Sequence, residues 1–419
     1  GLTAFWLVPS YFRITLENMR FVSERGNRWS LWVFLVLAIA YMKITEKWAK
    51  NQPAKLWPVF LWGAFIQFFL NVIGNYYLKF RIIGEPTRMV PELDLVILLV
   101  FAELVRRIWQ GEPPFGWLTK PRVRVAVAIL VVLICLWPGR KYVKRAWRPF
   151  IRYPDYKERV EYRVTDWMAK NMPDARSYTT GTVRFWFNAW HDLAQLGGGS
   201  EQGLLNPVSM PATWHLGLNP NGEEGVIWLQ CTGVDAAIVH DATSEEPYHD
   251  IQHPKKWNGV MPLVWQDGKG NFIYQVPRRY RSLARVVDAA KLDAIGPMPE
   301  DPTMDQLRML ADLLERGPDA PTSTRWETTD RLRVRATVGN GQTVFLQVTY
   351  DKPWRASSGG KEYPVRKSQL GFMRIDMPPG DHEILLEFPV PLENKVGRAV
   401  TVLTLLGVAA MLWQRRKTI

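Results

Sequence analysis

From Leu56 to Tyr77 the chain runs 22 residues without a charged side chain (LWPVFLWGAFIQFFLNVIGNYY). A helix crossing the ~30 Å hydrocarbon layer needs about 20 mostly apolar residues. This run meets that length unaided and so dictates a membrane helix. Three further runs lie in the first third of the chain: Trp29–Ile44, Leu93–Val105 and Val123–Pro138. A fifth, Ala399–Trp413, is followed directly by Gln-Arg-Arg-Lys. These four reach spanning length by recruiting flanking Trp, Tyr, Lys and Arg, which place polar tips at the interface. The runs are apolar on every side and aromatic at their ends, unlike the one-sided stripe of a soluble helix.

Whole-chain averages conceal this. With 419 residues, 22% of them charged, and a net charge of +13, the composition reads as a soluble basic protein. Its 47% hydrophobic content excludes a disordered chain, and two cysteines exclude a disulfide framework. Thirty Gly and thirty Pro without a period exclude a collagen-like repeat. Charge order fixes a topology through the excess of Lys and Arg on the cytoplasmic side. If Arg415, Arg416 and Lys417 are cytoplasmic, everything between the fourth and fifth runs is extracytoplasmic. The loops holding Lys43, Lys47, Lys50 and Lys55, and Arg106, Arg107, Lys120, Arg122 and Arg124, then fall inside. The cluster Arg140, Lys141, Lys144, Arg145 and Arg148 is the exception, lying just outside the fourth run. The opening Gly-Leu-Thr-Ala-Phe-Trp-Leu-Val-Pro has neither an initiator Met nor a charged leader, and reads as the C-terminal half of a longer protein.

Four segments follow. Residues 1–150 hold about four transmembrane helices, 151–318 a mixed α/β domain, 319–394 a β-sandwich, and 395–419 the last helix with its basic tail. In the second segment, Tyr156–Asn171 and Met304–Arg316 have helical spacing. Val226–His240 reads as helix, turn and buried strand, and Phe272–Val276 as a strand. The proline-rich Gly317-Pro-Asp-Ala-Pro reads as a domain boundary. Beyond it, Leu332–Val338, Thr343–Tyr350, Phe372–Met377 and His382–Phe388 alternate with period two between turn sequences. The fold class expected is a membrane α-helical bundle plus an extracytoplasmic α+β domain and an antiparallel β-sandwich.

Val348-Thr-Tyr-Asp-Lys-Pro-Trp-Arg-Ala, Gly360-Lys-Glu and Met377-Pro-Pro-Gly-Asp-His-Glu-Ile, followed by an apolar helix, form a recognisable succession. It resembles the C-terminal end of YfhO-like bacterial membrane proteins of the GT-C glycosyltransferase superfamily. Asn188-Ala-Trp-His-Asp, Trp228-Leu-Gln-Cys-Thr-Gly-Val, Ile273-Tyr-Gln-Val-Pro-Arg and Phe5-Trp-Leu-Val-Pro are similar too. Asp351-Lys-Pro-Trp departs from the family pattern by lacking its Gly. The resemblance implies transfer of a sugar from a polyprenyl-phosphate-linked donor to a cell-envelope glycan or lipid acceptor, at the outer face of the bacterial inner membrane. The superfamily's catalytic acid commonly sits in an outer loop of the N-terminal half, so no catalytic residue is carried over.

The outer loop Arg81–Glu92 is the polar segment of most functional interest. Arg81 and Arg88 have the chemistry to hold a lipid-linked phosphate. Glu85, Glu92 and Asp94 can orient a sugar hydroxyl or accept a proton. Solvation of juxtamembrane charges accounts for the same residues, as it does for Asp94 and Glu103 in the third run. Phe185-Trp-Phe-Asn-Ala-Trp-His-Asp has the composition of a glycan platform, with Trp186 and Trp190 for stacking and Asn188, His191 and Asp192 for hydroxyls. Packing against a neighbour explains the aromatics equally. His240, Asp241, His249, Asp250 and His253 match no compact metal-ligand spacing, and no cofactor motif is present. The +13 charge is used at the membrane and does not indicate nucleic acid. A non-catalytic, membrane-anchored subunit that binds a protein partner or glycan is the competing expectation.

Overall fold

The computed structural model describes residues 3–5, 7–14, 28–50, 52, 55–79, 85–110, 120–152, 155–199 and 204–418. The chain forms two compact units, Met19–Pro154, and Gly1–Asn18 together with Asp155–Ile419.

The first of these units is helical: Arg28–Ala49, Leu56–Leu78, Val90–Gln110 and Pro121–Arg152. Gly63 brings the first two helices close, because a Cβ there would lie 2.9 Å from the Tyr41 ring. The Tyr41 hydroxyl donates to the Val59 carbonyl at 2.5 Å. Leu61 and Val72 of the second helix and Leu93 and Val96 of the third are buried, while Trp32, Leu37, Phe60 and Trp62 are exposed. Such a surface suits lipid rather than water. Among the described residues three helices are long and apolar enough to cross a membrane: Leu56–Leu78, Pro121–Arg145 and Leu392–Gln414. The other two runs expected to span are also helical, but they carry more charge. Val90–Gln110 includes Glu92, Asp94, Glu103, Arg106 and Arg107.

The second unit is built in layers. Strands β1 (Ser177–Tyr178), β2 (Ala236–His240), β3 (Leu263–Gln266) and β4 (Asn271–Gln275) form a mixed sheet in the order β1-β2-β4-β3, with β1 and β2 parallel. β2 is buried along its whole length because both faces are covered. Ala236 and Ile238 meet Val160, Val164 and Met168 of helix Val160–Asn171 and Val183 of helix Gly181–Trp186. Ala237 and Val239 meet a second core built on Trp228, Trp257, Leu307 and Leu310. Trp228 and Leu229 come from helix Gly222–Cys231, Leu307 and Leu310 from helix Met304–Glu315. Each fully buried apolar side chain of this kind contributes about 1.5–3 kcal/mol.

The far side of that second core is a sheet containing β5 (Ala284–Asp288) and β8 (Gln342–Thr349). The strands between them, β6 (Ser323–Thr328) and β7 (Arg331–Val338), belong to another sheet. With β9 (Arg355–Ser358), β10 (Lys361–Tyr363), β11 (Val365–Lys367), β12 (Phe372–Ile375) and β13 (Gly380–Glu387), the orders are β11-β12-β8-β5 and β10-β9-β13-β7-β6. Val334, Ala336, Val344, Leu346, Ile375 and Ile384 fill the space between these antiparallel sheets, which is the sandwich that the alternation led us to expect. The expected boundary at Gly317 needs revision, because β5 precedes that joint and pairs with β8 beyond it. Strand β5 is buried at all four of Ala284–Val287, and because Arg285 is among them the run shows neither a period-two alternation nor a plain apolar stretch.

Buried charges fasten the sheet to the helices. Arg278 bonds the Asp235 carboxylate at 2.6 Å, and donates to Gln347 Oε1 at 2.8 Å, the Ser282 carbonyl at 2.9 Å and the Gly233 carbonyl at 3.1 Å. Arg176 spans the Thr232 and Gln347 carbonyls, and Arg285 meets Glu315 at 3.2 Å. Burial, reinforced by the Arg278 charge, lowers Arg176 and Arg285 to about 10, so both remain cationic near neutrality. Gly233 is required at this point: its φ is +71°, and a Cβ would stand 2.9 Å from Gln347 Oε1.

Candidate functional site

Helix Val160–Asn171 places Tyr162 beside the short helix Gly181–Trp186 and the turn after it. Three rings lie nearly parallel there. Tyr156 and Trp190 stack at 5.7 Å and 11°, and Trp186 and Trp190 at 6.0 Å and 18°. Tyr162 meets Trp190 edge-on at 5.5 Å and leans on His191 at 5.9 Å. Trp186 is 50% exposed and Tyr156 46%, so both outer rings of the stack are about half open to solvent, and neighbouring Phe185 is 64% exposed. The arrangement follows from the sequence locally. Val183 and Phe187 are buried, which turns Phe185 and Trp186 outward from a six-residue helix.

The polar residues expected here divide. Asp192 is exposed, two residues after Trp190. His191 is partly buried, with Nε2 3.8 Å from Asp166, which itself pairs with Lys170. The Asn188 amide donates to the Leu193 carbonyl at 2.6 Å and accepts from Gln195, so it shapes the turn. Tyr156 and Tyr162 complete the platform and went unread in the sequence. They lie at the entrance of an amphipathic helix among charged residues, where an aromatic reads as ordinary packing.

Behind the platform lies a polar cluster that the sequence did not announce. Glu161 and Glu246 are both buried. The Thr182 hydroxyl contacts both carboxylates, at 3.0 Å for Glu161 and more closely for Glu246. Glu246 also accepts from the backbone N–H groups of Thr182 at 2.9 Å and Tyr248 at 3.1 Å. Burial pushes the Glu161 carboxyl up, but the bonds and charge of Arg159 outweigh it and hold the group below the ordinary carboxylate value. Asp250 accepts from the Gly181 N–H at 3.1 Å, where Gly181 has φ +66° and Glu246 occupies the space a Cβ would need. These bonds pin the start of the helix whose end carries Trp186.

The histidines weighed for metal binding separate. His240 is buried and bonded to Asn271 at 2.7 Å, and burial pushes its imidazole down. Asp241 caps the Thr243 N–H at 2.8 Å. Lys255, His253 and Asp241 instead line an open cleft of about 560 Å³. Among the described residues no set of three His, Cys, Asp or Glu side chains converges on a metal position. Cys231 is buried against the Leu307 carbonyl, and burial pushes its thiol up.

In the helical unit, Arg81 lies outside the described residues. Arg88 is exposed and forms an ion pair with half-buried Glu85 at 2.7 Å. Glu92 and Asp94 are exposed near the start of helix Val90–Gln110, where a negative charge complements the helix dipole. Glu103 pairs with Arg106 and Arg107 one turn further along.

No family model, curated protein or solved structure matches this chain. The site must therefore be read from its own chemistry. Parallel, half-exposed rings offer a flat surface that a sugar's C–H face can cover.

Proposed function

We propose that the chain is the glycan-handling, membrane-anchored part of a GT-C-like glycosyltransferase of the bacterial inner membrane. Its layered unit faces the extracytoplasmic side, and its C-terminus lies in the cytoplasm. The observation that carries this reading is the stack of Tyr156, Trp190 and Trp186, each ring within 18° of its neighbour and the two outer residues about half exposed. An envelope glycan or lipid acceptor would lay a sugar ring on this stack, with Asp192 at its hydroxyls. In the transfer step an acceptor hydroxyl attacks the anomeric carbon of the lipid-linked sugar. The bond to the polyprenyl phosphate breaks, and the hydroxyl proton passes to a carboxylate. Taken by itself, the helical unit offers Arg81 and Arg88, with the chemistry to bind a lipid-linked phosphate through charge-assisted bonds, and Glu92 or Asp94, with the chemistry of a base.

The pairing of Arg88 with Glu85 and the saturation of Glu246 by internal donors favour a second reading. In it this chain binds glycan or a protein partner as a non-catalytic subunit. One experiment separates the two. The full chain is reconstituted in vesicles with a radiolabelled polyprenyl-phosphate sugar and an envelope acceptor. Transfer that falls at least tenfold in Arg88→Ala supports catalysis. Acceptor binding without transfer supports the subunit, and the absence of both refutes the glycan reading.

A further inference from the structure

Helix Pro121–Arg152 is 32 residues long, about 48 Å, whereas the hydrocarbon layer is about 30 Å thick. Its uncharged stretch, Val125–Gly139, is 15 residues long, and the helix continues beyond it to Arg152. Roughly twelve residues must therefore lie beyond the hydrocarbon. In that part the charges are sorted by face. At about 100° per residue, Arg140, Lys141, Lys144 and Arg145 fall within an arc of about 140°. Tyr142, Val143 and Trp147 occupy the opposite arc, and all seven side chains are exposed. A basic face opposite an aromatic and aliphatic face is the pattern of a helix lying in a lipid interface.

We propose that the segment Arg140–Trp147 is an anionic-phospholipid binding surface of the membrane its own helix crosses. The four cations would neutralise headgroup phosphates while Tyr142, Val143 and Trp147 lie in the headgroup interface, where aromatic residues concentrate. Two observations select this partner. The basic face is continuous with an apolar span, so it is held within reach of headgroups, and its charge is complementary to phosphate. The inference does not depend on the glycosyltransferase reading. It also accounts for the one cluster that runs against the charge order of the other loops, since a charge neutralised by lipid ceases to oppose an outer location.

The test uses the purified full chain in nanodiscs of phosphatidylcholine alone or with phosphatidylglycerol, with retained lipids counted by native mass spectrometry. The wild type is expected to retain phosphatidylglycerol over phosphatidylcholine by at least tenfold, and this preference should disappear in the variant Arg140→Gln/Lys141→Gln/Lys144→Gln/Arg145→Gln. The charge-preserving variant Arg140→Lys/Lys141→Arg/Lys144→Arg/Arg145→Lys should keep it, which separates loss of charge from loss of fold. Equal preference in wild type and the glutamine variant overturns the proposal. So does retention of polyprenyl phosphate in place of phosphatidylglycerol from nanodiscs that contain both.

Discussion

Arg278 offers the sharpest test of how the layered unit is held together. Its side chain is 1% exposed and that of its partner Asp235 is 4% exposed. Arg278→Met keeps most of the volume, so little of the cost comes from a cavity. The loss lies in the acceptors left behind: the Asp235 carboxylate, Gln347 Oε1 and the carbonyls of Gly233 and Ser282. Removing one member of a buried ion pair costs about 3–5 kcal/mol. In a unit of this size each kcal/mol lowers Tm by about 2–4 °C, so the expected shift is roughly 6–20 °C. Thermal unfolding of the full chain in detergent, followed by near-ultraviolet circular dichroism, measures it. The double variant Arg278→Met/Asp235→Leu should lose about 1–3 kcal/mol less than the sum of the single changes, because no charge is then stranded. A single-variant shift below 2 °C, or strict additivity, would refute the idea that this pair fastens strand β8 to the helices.

Other consequences are equally concrete. Because the Glu161 carboxyl is held below its ordinary value of 4.5, its contribution to stability is present above that pH and lost as pH falls through the lowered value. Stability measured from pH 7 to pH 3 should therefore decline below about 4.5 in the wild type, and less steeply in Glu161→Gln. Identical profiles would show that the Arg159 pairing contributes nothing. At Gly222 a Cβ would stand 2.1 Å from the Lys256 carbonyl, so Gly222→Ala should cost about 1–3 kcal/mol in the same melting assay. An unchanged melting curve would mean that the helix and the Lys256 loop are not in contact. A periplasmic reporter inserted near Gly317 should be active and one fused after Ile419 inactive; the reverse pattern would overturn the proposed topology.

Periodicity made much of this fold readable in advance. Met304–Glu315 shows a one-sided stripe, and β7 alternates arginine with Leu332, Val334 and Ala336, so each declares its partner face. β5 did not, because its buried residues Ala284–Val287 include the charged Arg285, which breaks both an alternation and an apolar run. The proline-rich joint looked like a boundary for a related reason: turn chemistry reports a local break in the chain, whereas sheet membership is decided by strands far apart in sequence. The platform was half legible. Trp186 and Trp190 stood out by composition, whereas Tyr156 and Tyr162 are brought to them only by the packing of two helices. Glu161 was illegible, since a carboxylate among arginines on an amphipathic helix reads as surface until Thr182 and Glu246 close over it.

The central claim is that the open stack at Trp186 binds sugar, and equilibrium binding of soluble envelope-glycan fragments to the purified full chain tests it most directly. Trp186→Ala should weaken binding at least tenfold, about 1.4 kcal/mol, while Tm stays within about 1 °C because the ring is half exposed. Equal affinity in wild type and Trp186→Ala, or no binding by either, would contradict it.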